Sequence, residues 1–350
     1  MGSTRRRDSD IPAPSNPDST CTTVRWTVAC ILVTCAVLVL ILPWPLPYEQ
    51  SIEDIMQERA SHLHEQCETI PTLGNFSLPA PRTDNPNHPY YNYFLEPRHR
   101  LLWCAISKVA STSWMYQLNR WADVPQEKIA FYARDLKALT RLYYPTPTRA
   151  DVEQIKRDVE TPVVRFLLVR DPFDRFVSAY EDLIVRPQSD NYRNLRRFIF
   201  REVYGVDVPV AVVQNATSPA PSFSDFTEFV LRRKNVRDPH WESYYNLCDP
   251  CFLQPTVIVK LETYDRDVAH LLQLLNHTTT GTGRYDNARL NVNHHRTANN
   301  DASMGRSKST LDRLAELTGD QFERLYHRYE LDFRLFQYDA SQYFALFRED

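Results

Sequence analysis

Between Gly74 and Gly205 the chain contains no glycine, and it has only 7 glycines in 350 residues. Glycine lets a backbone enter the left-handed region and lets a phosphate approach main-chain atoms closely. Its absence excludes the loops on which many nucleotide-binding folds rely, for neither G-x-x-x-x-G-K-[ST] nor G-x-G-x-x-G occurs. Collagen-like and Gly/Ser-linker architectures are excluded with them. Any phosphate site in that stretch has to be assembled from small residues other than glycine. The remaining composition, 43% hydrophobic and 24% charged with a formal net charge of −3, is that of a folded chain rather than a disordered one.

A second constraint lies near the N-terminus. Trp26 to Leu42 is an uncharged run of 17 residues, extended without charge through Pro43–Pro47. As a helix the run spans about 26 Å, close to the thickness of a bilayer core. Arg5, Arg6, Arg7 and Arg25 precede it, and Glu49, Glu53 and Asp54 follow. The positive-inside rule then places the N-terminus in the cytosol and the body in a lumen. The run is longer than a signal-peptide core and no A-x-A site follows it, so an uncleaved anchor is expected over a cleaved signal or a buried helix. The expected organisation is a cytosolic tail over 1–25, a transmembrane signal-anchor over 26–47, a proline-rich lumenal stem over 48–97 and a catalytic domain over 98–350. Asn75, Asn215 and Asn276 head N-x-[ST] triplets and are candidate glycosylation acceptors. Cys67, Cys104, Cys248 and Cys251 fall in the lumenal part, an even number that suits an oxidising compartment and allows three pairings. Cys248 and Cys251 form the chain's only C-x-x-C, so disulfides are favoured over half of a zinc site.

From residue 98 onward, apolar runs alternate with helical patterns. Leu101–Ile106, Pro162–Val169 and Thr256–Leu261 read as strands buried on both faces, and helices are expected over Trp114–Trp121, Phe173–Ile184 and the stretch ending at Leu275. Leu311–Phe347 reads as helical, with an aromatic stripe that is core. The pattern predicts an α/β fold with a parallel central sheet flanked by helices.

Two strand-to-helix junctions carry chemistry. The first runs Ser107-Lys108-Val109-Ala110-Ser111-Thr112-Ser113-Trp114. A helix start offers unpaired N–H groups and a partial positive charge, the hydroxyls add donors, and Lys108 adds a point charge. An ordinary N-cap accounts for the serines equally well. The second runs Arg170-Asp171-Pro172-Phe173-Asp174-Arg175-Phe176-Val177-Ser178. Arg170 sits at the carboxyl end of a parallel strand, where α/β folds bind ligands, and an arginine with a hydroxyl two turns on suits a phosphate monoester. The alternative is a capped helix with an Asp171–Arg175 pair.

Taken together and in this order, the two motifs resemble those of the Golgi carbohydrate sulfotransferases, Lys108–Trp114 their 5′-phosphosulfate loop and Arg170–Ser178 their 3′-phosphate motif. The resemblance continues through Asp238-Pro239-His240-Trp241, Leu247-Cys248-Asp249-Pro250-Cys251 and Leu325–Phe333. It covers roughly residues 98–338 and is closest to the chondroitin/dermatan 4-O-sulfotransferase branch. It implies a P-loop-like sulfotransferase fold, 3′-phosphoadenylyl sulfate as donor without a metal, a single-pass Golgi membrane protein, and an anionic glycan acceptor. Ser107 departs from the family's usual proline before the lysine, and a more mobile loop entry is expected.

The acceptor hydroxyl requires a base. His240, within the family-like D-x-H-W segment, is the candidate, with His294 and His295 as alternates. Arg193, Arg196, Arg197 and Arg201 fall on one helical face, and Arg232, Arg233, Lys234 and Arg237 form a second basic cluster; either can bind glycan sulfates or be a solvated surface. No nucleic-acid partner is expected. A competing reading is a glycosyltransferase, whose D-x-D metal motif is matched in the body only by Asp265-Arg266-Asp267. Another is a non-catalytic glycan-binding protein.

Overall fold

The three apolar runs become adjacent strands of one sheet. In the computed structural model, which describes residues 50–70, 90–187, 189–214, 218, 220–232, 238–278 and 308–347, the sheet order is β1 (Tyr93–Glu96), β2 (Leu101–Cys104), β3 (Val164–Val169) and β4 (Val257–Lys260). β2, β3 and β4 are parallel, with Trp103 opposite Phe166 and Phe166 opposite Val257. β1 is antiparallel to β2 and pairs Tyr93 with Cys104. The sheet is therefore mixed, and the expected all-parallel sheet is corrected by one edge strand. The last four residues of β3 and all of β2 are buried, as continuous apolar strands covered on both faces must be.

The open edge of β1 is plugged by a side chain. Arg141, from the Leu136–Tyr143 helix, donates to the carbonyls of Tyr93 (2.9 Å) and Tyr91 (2.6 Å), and its guanidinium lies 3.7 Å from the Phe94 ring centroid. These bonds occupy the Tyr93 carbonyl of β1 and the Tyr91 carbonyl before it, which blunts the edge against pairing with another strand.

The stem expected over 48–97 is not a separate segment over its described residues. The Ile52–Thr69 helix buries Met56 and Leu63 in the same core as the sheet. Arg59 donates to Asp267 at 2.5 Å and to the Ile258 carbonyl on β4 at 2.8 Å. Cys67 is bonded to Cys251, and Cys104 at the end of β2 to Cys248. The C-x-x-C is thus a double disulfide anchor rather than half a metal site. The bridges close loops with sequence separations of 184 and 144 residues, and closing a loop of that size is worth on the order of 5 kcal/mol on a chain-entropy model.

Asp267 resolves the D-x-D question. Its carboxylate is fully buried and accepts from Arg59, the Thr263 hydroxyl (2.6 Å), the Lys260 N–H (3.1 Å) and Arg266. Burial raises its pKa, but these hydrogen bonds outweigh burial and hold it below the usual carboxylate value. A carboxylate so engaged is a structural counter-ion, not a metal ligand.

A second core, about half of it aromatic, joins the helix after β3 to the C-terminal helices. Phe173 packs on Phe333 (4.9 Å) and Tyr343 (5.1 Å), and Phe176 on Phe226 (5.1 Å). The expected C-terminal helical stretch appears as Thr310–Leu314, Gly319–Leu335 and Ser341–Phe344. Among the described residues no helix is long and apolar enough to cross a membrane; the expected span 26–47 lies outside them, as do Asn75 and Asn215.

Arg59→Ala, which leaves the buried Asp267 charge with Arg266 as its remaining cationic partner, is expected to lower the unfolding free energy by about 3 kcal/mol, the low end for a broken buried pair. Replacing both partners by leucine should lower it less. Chemical denaturation distinguishes the two, and equal losses would show that the ion pair is not what fixes this helix to the sheet.

Candidate active site

The first junction builds a glycine-like loop without glycine. After β2 the chain passes through buried Ala105 and Ile106 into a loop in which Lys108 has φ 71° and Ala110 has φ 65°. Each non-glycine residue held there costs roughly 1–3 kcal/mol. Val109 between them is 1% exposed and pins the loop to the core. Such alternation of backbone hand turns successive N–H groups toward a common anion position. The Ser111–Trp121 helix begins at Ala110, which has no side chain to cap it. The Ala110 carbonyl takes the N–H groups of Ser113 (3.1 Å) and Trp114 (3.4 Å), leaving those of Ser111 and Thr112 outside the helical ladder. Trp114 anchors the helix against Phe166 of β3, ring centroids 4.7 Å apart.

Lys108 is 15% exposed, and its Nζ donates to the Asp182 carboxylate at 2.6 Å. Burial lowers its pKa, Asp182 opposes that, and the charges of Arg170 and Arg186 lower it further. Lys108 therefore sits in a small field of cations with one carboxylate against it.

The second junction follows β3. Asp171 caps the Pro172–Tyr180 helix by accepting the N–H groups of Phe173 (2.9 Å) and Asp174 (3.1 Å), with Pro172 at the first helical position. Burial pushes the Asp171 carboxyl up to about 6 against those two bonds. The main chain of Arg170 is gripped by one hydroxyl: its N–H donates to Tyr244 Oη (3.0 Å), which donates in turn to the Arg170 carbonyl (2.7 Å). The Arg170 Nη2 lies 3.6 Å from Asp174, and its Nη1 is buried without a hydrogen-bond partner. A buried guanidinium nitrogen with no acceptor is a strong donor aimed at an anion. Ser178 lies two turns on in the same helix and is 8% exposed.

The rest of that motif serves the scaffold. Phe173, Phe176 and Val177 bury their side chains in the second core. Arg175 does not pair with Asp171. Its guanidinium is buried and donates to three carbonyls, Ser107 (3.0 Å), Glu242 (2.7 Å) and Pro239 (2.8 Å). One side chain thus ties the residue before Lys108 to the residue before His240. Ser107, expected to loosen the loop for want of a proline, has its carbonyl fixed by this bond.

His240 Nδ1 lies 2.6 Å from Asp238 Oδ1 and 2.9 Å from the Tyr192 hydroxyl. Its main-chain N–H also donates to Asp238 (2.9 Å). With Nδ1 so engaged, Nε2 is the nitrogen left to accept a proton. Burial, together with the charges of Asp238 and Asp182, raises the Tyr192 pKa. Asp182 thus bonds the lysine and also bears electrostatically on Tyr192. His294 and His295 lie outside the described residues.

Sequence reasoning missed Asp182, Arg186, Tyr192, Tyr244 and Asp332. Asp332 is buried and accepts the N–H groups of Tyr244 (2.8 Å) and Tyr245 (3.2 Å), so it supports the hydroxyl that grips Arg170. Its signal was an aspartate in the otherwise aromatic stripe. Most described members of the two basic clusters are bonded within the protein, while Arg201 lies over the Phe198 ring. Arg196 is buried on the carbonyls of Ile184 (2.9 Å) and Val185 (3.1 Å), Arg197 binds Asp207, Arg193 binds Asp190, and Arg232 binds Glu228. Arg233, Lys234 and Arg237 lie outside the described residues. Among the described residues no group of three His, Cys, Asp or Glu is placed to hold a metal ion.

A family model described as the sulfotransferase family matches residues 91–339. Carbohydrate sulfotransferase 11 of Danio rerio is 25% identical over 266 residues, covering 71% of this chain and 67% of that protein. Carbohydrate sulfotransferase 8 of Mus musculus is 25% identical over 303 residues, covering 82% and 64%. Carbohydrate sulfotransferase 12 of Xenopus laevis is 29% identical over 252 residues, covering 64% and 57%. No solved structure matches the chain.

Burial pushes the Asp332 carboxyl up to about 7, well above the value near 4 of an unfolded aspartate. The unfolded chain therefore releases this proton first, and stability falls as pH rises from about 4 to about 7, then levels off. Asp332→Asn should flatten that slope in unfolding free energy measured across the interval. A variant with the wild-type slope would show that Asp332 is ionised throughout.

Proposed function

The chain belongs to the sulfotransferase family, and we propose that it moves a sulfuryl group from 3′-phosphoadenylyl sulfate to a hydroxyl of a glycan in the Golgi lumen. The observation that carries this reading is the convergence of Lys108 and Arg170, each at the carboxyl end of a parallel strand, with Arg175 fixing the first loop to the segment that bears His240. The donor supplies an electrophilic sulfur and a phosphate leaving group.

Each residue then has one task. Lys108 and the N–H groups of Ser111 and Thr112 stabilise the negative charge that grows on the departing phosphate oxygen. The Arg170 Nη1, with Ser178, holds the 3′-phosphate and so selects this donor over a nucleotide lacking it. His240 Nε2 takes the acceptor hydroxyl proton as the oxygen–sulfur bond forms and the sulfur–oxygen bond to phosphate breaks. Asp238, bonded to Nδ1–H, fixes the tautomer and stabilises the imidazolium.

The chondroitin/dermatan acceptor, at the 4-hydroxyl of N-acetylgalactosamine, rests on the motif resemblance and on relatives named carbohydrate sulfotransferases. It does not rest on the two arginine clusters, since Arg193, Arg196, Arg197 and Arg232 are paired within the protein. The run at 26–47 supports a single-pass anchor with the catalytic body lumenal. A sugar-nucleotide transferase is disfavoured because its one D-x-D candidate has Asp267 committed to Arg59.

Purified full-length protein should move label from the sulfonate donor to desulfated chondroitin. Lys108→Ala and Arg170→Ala should lose at least 100-fold in kcat/KM, and His240→Ala between about 10²- and 10⁴-fold. Full activity in the first two variants would overturn the assignment. Disaccharide analysis of the product identifies the hydroxyl.

A further inference from the structure

The proposed mechanism leaves one charged side chain unexplained, and it touches the central lysine. Asp182 follows the Pro172–Tyr180 helix in a π-helical turn, Glu181–Val185. π-turns inside helices occur frequently at functional sites. The backbone of this turn is fixed from both sides. Glu181 is held by Arg313 at 2.6 Å and lies 3.7 Å from Arg186, while Arg196 donates to the carbonyls of Ile184 and Val185. Leu183 and Ile184 are buried in the aromatic core. The Asp182 side chain is the loose member, 51% exposed, with its carboxylate on Lys108 Nζ.

The partner is the reverse. Lys108 is mostly enclosed, on a strained loop, and beside two further cations. Arg170 and Arg186 have Asp174 and Glu181 beside them, which leaves half-exposed Asp182 as the carboxylate bonded to Lys108. A donor phosphate brought to Lys108 meets that carboxylate, and the two like charges cannot both be held tightly there.

We infer that Asp182 is a displaceable counter-ion of Lys108 that competes with the anionic donor and reclaims the lysine after transfer, so that it sets how fast the bisphosphate product leaves. The inference rests on the functional reading above. The displacement needs only rotation of one half-exposed side chain, because the turn that bears it stays clamped. Asp182 is a positioning residue in this scheme and touches neither sulfur nor acceptor oxygen.

The test is calorimetric titration of the full-length protein with adenosine 3′,5′-bisphosphate, together with stopped-flow measurement of its release. Asp182→Asn should tighten the bisphosphate by about tenfold, within the range common for coupled sites, and slow its release by a similar factor. Asp182→Glu should stay near wild type. On a Lys108→Met background Asp182→Asn should have no further effect, since the two residues act as a pair. Merely structural damage would weaken binding, not strengthen it. Wild-type protein that binds the bisphosphate, with an unchanged or weaker constant in Asp182→Asn, overturns the counter-ion and leaves the function standing. Wild-type protein that does not bind the bisphosphate overturns both.

Discussion

A guanidinium buried away from water has to find acceptors for its N–H groups, and Arg175 finds them on three carbonyls from two loops far apart in sequence. Each bond from a charged donor to a buried carbonyl is worth about 1.5–3 kcal/mol. The one made to Ser107 is of the same order as the roughly 1–3 kcal/mol that each of Lys108 and Ala110 loses by standing in the left-handed region. The strain at 108 and 110 is therefore held by that bond together with the burial of Val109 and the packing of Trp114 on β3. The same side chain fixes Pro239 and Glu242 on either side of His240, so the donor loop and the candidate base share one anchor.

The second layer of support is a relay of backbone grips. Asp332 holds the N–H groups of Tyr244 and Tyr245, Tyr244 holds both main-chain polar groups of Arg170, and Asp171 caps the next helix. Glu262 joins this layer by accepting the Asp171 N–H at 2.8 Å and the Tyr338 hydroxyl at 2.9 Å. None of these groups needs to touch a substrate. Their effect is that the Arg170 backbone is fixed while its side chain keeps a buried nitrogen without a partner, the arrangement expected of a preorganised anion site.

What was legible in the sequence followed from length and periodicity. β2, β3 and β4 are continuous apolar runs, and both phosphate motifs sit at strand ends as read. β1 was hidden because four residues, Tyr93–Glu96, carry no period and stand beside a proline-rich stretch. The Ile52–Thr69 helix reads as stem because a proline-rich polar stretch follows it, and its attachment is made by Arg59 and Cys67, whose partners lie some 200 residues away in sequence. The roles of Arg175, Arg196 and Asp267 are not legible in the sequence for a common reason. A charged residue in a motif or on a helical face looks functional or solvated until its burial is known, and burial is a property of the tertiary structure.

The charges left at the site can be reasoned about as a set. Lys108, Arg170 and Arg186 crowd together, and the described carboxylates close to them are Asp182, Asp174 and Glu181. Glu181 is committed to Arg313, and Asp174 is taken by the Thr310 hydroxyl as well as lying near Arg170. A site that must receive a multiply charged donor gains affinity from uncompensated cations, but uncompensated buried cations destabilise the fold. The arrangement divides the two demands. Anions that serve stability are buried and bonded on several sides, and the one set directly against the lysine is half-exposed and bonded once. Electrostatic strength is thereby kept at Lys108 without leaving its charge unanswered, and the exchange of one anion for another becomes a step that a single side chain can carry.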